Sequence, residues 1–282
     1  MRTIKLADVT GNHLHTASLL AAALLTSIAA GGAPARAQAS SQAKPTIVLV
    51  HGAWADGSSW SGVVHRLQRD GYMVHVPPNP LRSLAADSAY LAAFLATVKG
   101  PIVLVGHSYG GAVITNAATG NANVKALVYV DAYVPDESDT ILTMTGAKPG
   151  SVLASGPPNT LFDFVPYPGA PSGDYDLYVK PAIFPKAFTG DLPARTAAAL
   201  GASQRPLTFG ALNEPSGVPA WKTIPSWDVI GTEDQIIPAA EQRALAQNAN
   251  ARITEVKAPH LSMVTDPEVV TKVILEAARS AQ

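Results

Sequence analysis

The chain has 282 residues, of which 47% are hydrophobic and only 15% charged, enough to bury a core and too apolar for a disordered chain. Its 20 basic and 21 acidic side chains nearly cancel, and no window concentrates Lys and Arg, so a surface that tracks nucleic-acid phosphates is excluded. Cysteine is absent, which removes disulfides, thiolate metal sites and a thiol nucleophile together.

Residues 1–37 read as an export signal. Arg2 and Lys5 supply the charged start, Ala17–Ala30 the apolar middle, and Ala35-Arg36-Ala37 a small-x-small cleavage pattern ahead of Gln38. The apolar run is too short and too rich in alanine for a membrane span, which needs about 20 apolar residues. No second stretch approaches that length. The expectation is a periplasmic or secreted protein that leaves the membrane once the signal is removed.

From Pro45 onward, short apolar runs alternate with amphipathic segments, the pattern of parallel strands joined by crossover helices. Strands are predicted at Thr46–Val50, Tyr72–Val76, Ile102–Val105 and Ala126–Val130, and helices at Ser59–Arg69, Asp87–Val98 and Tyr109–Thr119. The strand runs are continuous Val, Ile and Leu, which marks a sheet covered on both faces. The alternation stops at Val134. Residues 134–223 hold more than half of the 23 prolines and half of the aromatic side chains, among them Phe162, Phe164, Phe184, Phe188 and Trp221; a regular sheet cannot run through so many prolines. Strands return at Ser226–Ile230 and Ile253–Val256, with helices at Ala239–Ala249 and Pro267–Arg279, the last capped by Asp266. The predicted organisation is one α/β core in two parts, 38–133 and 224–282. Residues 134–223 form a cap inserted over the strand ends, where open α/β sheets bind ligands.

Gly106-His107-Ser108-Tyr109-Gly110-Gly111 is a G-x-S-x-G sequence lying after an apolar strand and before a helical pattern, the context in which a serine nucleophile sits on a strained turn. A serine hydroxyl needs a base within hydrogen-bond reach. Of seven histidines only His260 follows Ser108, and a chain order of serine, acid, histidine selects it. Asp234, after the preceding strand, best fits the acid that orients the imidazole. Glu233 and Asp228 are neighbouring carboxylates, and Asp131, after the fourth strand, is the serious rival. Two backbone amides are expected to hold an oxyanion, that of Tyr109 after the nucleophile and that of Ala53 in the His51-Gly52-Ala53 loop. His51 itself is read as a turn former. No phosphate-binding or dinucleotide motif and no metal-ligand spacing is present in the sequence, so neither cofactor nor metal is implied.

With these residues in view, the sequence resembles the α/β-hydrolase superfamily. Within it, the resemblance is to small-ester hydrolases related to plant methylesterases and hydroxynitrile lyases, and to their bacterial esterase relatives. The shared features are His51-Gly52-Ala53 with Trp60, the Gly106–Gly111 elbow, Gly231-Thr232-Glu233-Asp234, and His260 followed by Met263 and Pro267. The resemblance covers nearly all of Thr46–Ala278 and is weakest in the cap. It implies a mostly parallel central sheet flanked by helices with an inserted cap, Ser108, Asp234 and His260 as a triad, and Ala53 and Tyr109 as oxyanion donors. Lyases of the group carry threonine where this chain has Gly52 and lysine where it has Leu261, and dehalogenating relatives carry aspartate in place of Ser108. Metal-free perhydrolysis is a side reaction the resemblance admits. The resulting expectation is a serine-dependent carboxylic-ester hydrolase acting on a small-molecule ester, apolar or aromatic. Its rivals are a non-catalytic ligand-binding protein of the same fold and a carbon–carbon lyase.

Overall fold

The computed structural model describes residues 43–190 and 192–281, and the export signal read in residues 1–37 lies outside them. The first part of the chain forms β1 (Thr46–Val50), α1 (Ser61–Arg69), β2 (Val74–His75), α2 (Leu84–Thr97), β3 (Ile102–His107), α3 (Tyr109–Ala117) and β4 (Val124–Val130). The middle forms α4 (Ile141–Thr145), α5 (Pro158–Leu161), β5 (Phe162–Val165), β6 (Asp176–Val179), α6 (Phe184–Thr189), α7 (Ala194–Ala202), β7 (Leu207–Thr208) and α8 (Phe209–Asn213). The last part forms β8 (Ser226–Gly231), α9 (Ala239–Asn248), β9 (Arg252–Val256), α10 (Ser262–Thr265) and α11 (Pro267–Ser280).

Six strands pair in the order β2-β1-β3-β4-β8-β9, every pairing parallel. In β3 all six residues are buried, and in β1 only Thr46 is partly exposed. This is why these strands read as unbroken apolar runs: helices cover both faces. Each fully buried Val, Leu or Ile contributes roughly 1.5–3 kcal/mol. The register sets Val50 beside Gly106, His107 beside Val130, and Gly231 beside Val256. The carboxyl ends of β1, β3, β4, β8 and β9 therefore finish along one rim, and every loop carrying a chemically notable residue leaves from it.

Boundaries depart from the sequence expectation where a local interaction wins. The second strand shrinks to Val74–His75 because Pro77 and Pro78 follow and cannot donate to a ladder. The helix expected from Asp87 begins at Leu84, since the Ser83 side chain accepts the Ala86 N–H as an N-cap. Asp266 caps α11 by accepting from Val269 N, as its position before Pro267 suggests.

The insert between β4 and β8 corrects the reading that prolines preclude a sheet there. It carries an antiparallel sheet of its own, β5-β6-β7, with Phe162 opposite Val179 and Leu177 opposite Leu207. Its strands contain no proline, the longest having four residues, so the prolines bracket the sheet without entering it. Among the described residues no helix is long and apolar enough to cross a membrane.

Candidate active site

Ser108 occupies the turn between β3 and α3 with φ 54° and ψ −125°, a left-handed backbone that costs a non-glycine residue of order 1–3 kcal/mol. The turn is possible because its flanks lack side chains. A Cβ on Gly106 would lie 2.5 Å from Gly110 O, and one on Gly110 would lie 2.7 Å from Val50 O. The Ser108 backbone is fastened at both ends to the end of β4: its N–H donates to Val130 O (3.2 Å), and its carbonyl accepts from Tyr133 N (3.2 Å). Of six non-glycine residues with positive φ among the described residues, Trp54, Ser108 and Asp131 stand just beyond β1, β3 and β4. Backbone strain thus gathers at the rim.

The structure brings Ser108, His260 and Asp234 together. His260 Nε2 is 2.9 Å from Ser108 Oγ, and His260 Nδ1 is 2.8 Å from Asp234 Oδ2. With the Nδ1 proton directed at the carboxylate, Nε2 is left to accept the serine hydroxyl proton. Asp234 accepts further from the N–H groups of Ile236 (2.7 Å) and Ile237 (3.0 Å) and from Gln242 Nε2 (2.8 Å). These donors oppose burial, which raises the Asp234 carboxyl above its ordinary value. Burial also pushes the His260 imidazole down from 6.5 to about 3, so the resting ring is neutral and able to act as a base.

The other residues singled out in the sequence fall into place around this chain of contacts. Ala53 and Tyr109 are both buried on the rim, each 1% exposed, immediately after the β1 loop glycine and the elbow serine. The Tyr109 hydroxyl donates to Asp87 Oδ2 (2.9 Å), which anchors the first turn of α3 to α2. The His51 ring is not bonded to Ser108: its Nε2 accepts Asn79 N–H (3.2 Å) and its Nδ1 faces Gly52 O (2.9 Å), the role of a loop former. His107 Nε2 donates to His260 O (2.9 Å) and so steadies the loop that carries the imidazole. Glu233 is turned outward toward Lys257, with both side chains exposed. Asp131 and Asp228 are fully buried and make no contact with the imidazole nitrogens.

Sequence reasoning set a cap over the strand ends but did not single out which of its side chains close on the site. Ser108 is 2% exposed and His260 0%. Phe188 of α6 stands edge-on to the imidazole at 5.3 Å between centroids, stacked in turn on Phe184. Trp54 joins core to insert: its indole N–H donates to Leu177 O (2.8 Å), its N–H to Arg205 O (2.8 Å), and its ring stacks on Phe162 at 5.4 Å. Beside it an apolar cleft is lined by Leu153, Phe162, Leu177, Phe209 and Leu212. Neither Phe188 nor Gln242 carries a motif; each is recognisable only once the chain is folded. Among the described residues no three or more His, Asp or Glu side chains converge as a metal-binding group.

Comparison with known proteins gives the same architecture a family. Residues 47–273 match the model of the alpha/beta hydrolase family. A pyrethroid hydrolase of Sphingobium wenxiniae is 26% identical over 254 residues, covering 82% of this chain and 87% of that protein. A carbendazim hydrolyzing esterase of a Nocardioides species is 34% identical over 110 residues, 34% of this chain and 46% of that protein, so the match spans less than half of that relative. Among solved structures, polyneuridine aldehyde esterase superposes with a TM-score of 0.70 at 20% identity, covering 83% of this chain and 99% of its own. The chain belongs to the alpha/beta hydrolase family and is an esterase-type hydrolase within it.

Proposed function

We propose that the protein is a serine-dependent carboxylic-ester hydrolase that works through an acyl-enzyme and takes small apolar or aromatic esters. The observation that carries this reading is the unbroken run of contacts from Asp234 Oδ2 through His260 to Ser108 Oγ, 2.8 and 2.9 Å long, at the end of a strained elbow.

In the first half-reaction Ser108 Oγ attacks the ester carbonyl carbon while His260 Nε2 takes the hydroxyl proton. Asp234 stabilises the imidazolium that forms. The carbonyl oxygen becomes an oxyanion held by the amide N–H groups of Ala53 and Tyr109, each donor being worth about 3 kcal/mol in the transition state. Collapse expels the alkoxide, which leaves as the alcohol with the proton from Nε2. Water then attacks the acyl-Ser108 carbonyl as Nε2 accepts its proton. The second collapse releases the acid and returns the proton to Ser108. The apolar cleft beside Trp54 supports an apolar acyl or alcohol portion, and relatives named for hydrolysing a pyrethroid and carbendazim support the ester-hydrolase class.

Hydrolysis of short p-nitrophenyl esters by the wild type and by Ser108→Ala tests this. The expected result is turnover in the wild type and a fall of at least about 10⁴-fold in kcat for the variant; equal rates in the two would end the reading. Export of the chain is proposed on the leader sequence, and N-terminal sequencing of the mature protein should begin at Gln38.

A further inference from the structure

One side chain outside the Asp234–His260–Ser108 chain is bonded to the loops of both Asp234 and His260. Asp131 follows β4 directly, is fully buried, and adopts φ 46°, with its own N–H donated to Val229 O at 2.9 Å. Its Oδ1 accepts the N–H of Gly231 (2.8 Å), three residues before Asp234, and its Oδ2 accepts the N–H of Ser262 (2.9 Å), two residues after His260. Val130, directly before it, and Tyr133, two positions after it, are the residues of this strand end whose backbone holds Ser108. Gly231 is packed around this contact: a Cβ there would lie 2.8 Å from Asp131 Oδ1 and 2.8 Å from Ala258 O. With His107 gripping the His260 carbonyl, the loop bearing the imidazole is fixed at both 260 and 262.

We propose that Asp131 is a positioning residue: its carboxyl group ties the loops of Asp234 and His260 to the strand end that holds Ser108, and thereby sets the His260–Ser108 contact from behind. The chemistry asks for two acceptor oxygens. An asparagine offers one acceptor and one NH₂ donor, and that donor would face the N–H of either Gly231 or Ser262. The consequence is a loop displaced by a fraction of an ångström to an ångström, a shift that costs roughly 100-fold when it separates a nucleophile from its base. This inference rests on the serine-hydrolase reading above.

The test compares the full-length wild type with Asp131→Asn, Asp234→Asn and the double variant, using p-nitrophenyl butyrate and thermal melting in parallel. Asp131→Asn should lose roughly 100-fold in kcat with KM held within about twofold, kcat being counted per folded molecule from the amplitude of the melting transition, because a smaller folded fraction by itself lowers apparent kcat and leaves KM unchanged. The double variant should be no slower than Asp234→Asn, because both changes act through one imidazole. Ser262→Pro removes the N–H that Oδ2 accepts together with the Ser262 hydroxyl, at a first helical position that tolerates proline, and should reproduce the loss of kcat, whereas Ser262→Ala, which keeps the N–H, should not; the pair decides the matter if Asp131→Asn does not fold. Wild-type kcat in Asp131→Asn, full kcat in Ser262→Pro, or losses that multiply in the double variant would overturn the proposal. So would full activity in Asp234→Asn with none in Asp131→Asn, which would make Asp131 the orienting acid itself. A wild type indifferent to Ser108→Ala sinks the hydrolase reading instead, so the two failures are separable.

Discussion

The six strands of the central sheet bury most of the side chains they carry, whereas the insert's small antiparallel sheet leaves Phe164 and Val165 open to solvent. The core is held by parallel ladders between whole strands. The insert is held to it by scattered contacts: the Trp54 indole on Leu177 O, the ion pair of Arg82 with Asp176, the hydroxyl of Thr208 on Arg82 O, and isolated backbone bonds such as Trp54 N–H to Arg205 O and Val152 N–H to Gln235 O. One region fixes where the chemistry-bearing groups stand, and the other decides what reaches them. The difference follows from construction: a ladder resists shear along its whole length, while a few point contacts can be released together.

Removing the main point contact is the strongest way to break this contrast. Trp54→Ala deletes the bond to Leu177, the stacking on Phe162 and the edge contact with Phe188. It should cost about 3–5 kcal/mol of stability in denaturant titration, and limited proteolysis should cut within 134–223 before it cuts the sheet.

Phe188→Ala sharpens the contrast electrostatically. Burial holds the His260 imidazole below its ordinary value, so the base stays unprotonated as pH falls below 6.5. With the ring above it gone, water reaches the imidazole and that depression shrinks. The acid limb of the kcat/KM profile should move up toward about 6.5 in the variant, so the wild type should retain more of its activity than the variant at pH 5.

Asp228 tests the core side alone. Its carboxyl is fully buried in β8, neither oxygen has a hydrogen-bond partner, and burial followed by the nearby Asp131 raises its pKa well above 3.8. A group whose folded value is raised contributes stability that is complete below the unfolded value and is lost as pH rises through the folded one. The advantage of Asp228→Asn over the wild type should therefore grow with rising pH, by roughly 1–3 kcal/mol, read as the difference in melting temperature across a pH series. The smallest effect is expected at Arg243→Ala, which breaks an ion pair with Glu255 between two side chains each about 40% exposed. Stability there should change by no more than about 0.5 kcal/mol.

What could be read in the sequence tracks the same division. The central strands were legible because burial on both faces leaves an unbroken apolar signature, and Ser108 was legible because the elbow needs glycines at fixed offsets. His260 followed by order along the chain. The small sheet was not legible: β7 has two residues and meets β6 only after some thirty intervening positions, too short and too distant for a periodic signal. Asp131 shows the limit at the site itself. Sequence marked it as a candidate for the orienting acid; only the fold reveals that its oxygens face the backbone of Gly231 and Ser262 and leave the imidazole to Asp234. Gln242, which donates to Asp234 from eight residues away, follows from no spacing rule.

The hydroxyl of Ser108, 2% exposed beneath Phe188 and the Trp54 cluster, has a kinetic corollary. At that exposure a reactant reaches it only when the side chains around it give way, so each encounter includes a displacement of protein through solvent. Such a displacement is subject to friction. Thickening the medium with sucrose should slow capture of a bulky ester more steeply than that of p-nitrophenyl acetate, because the larger guest requires the wider excursion.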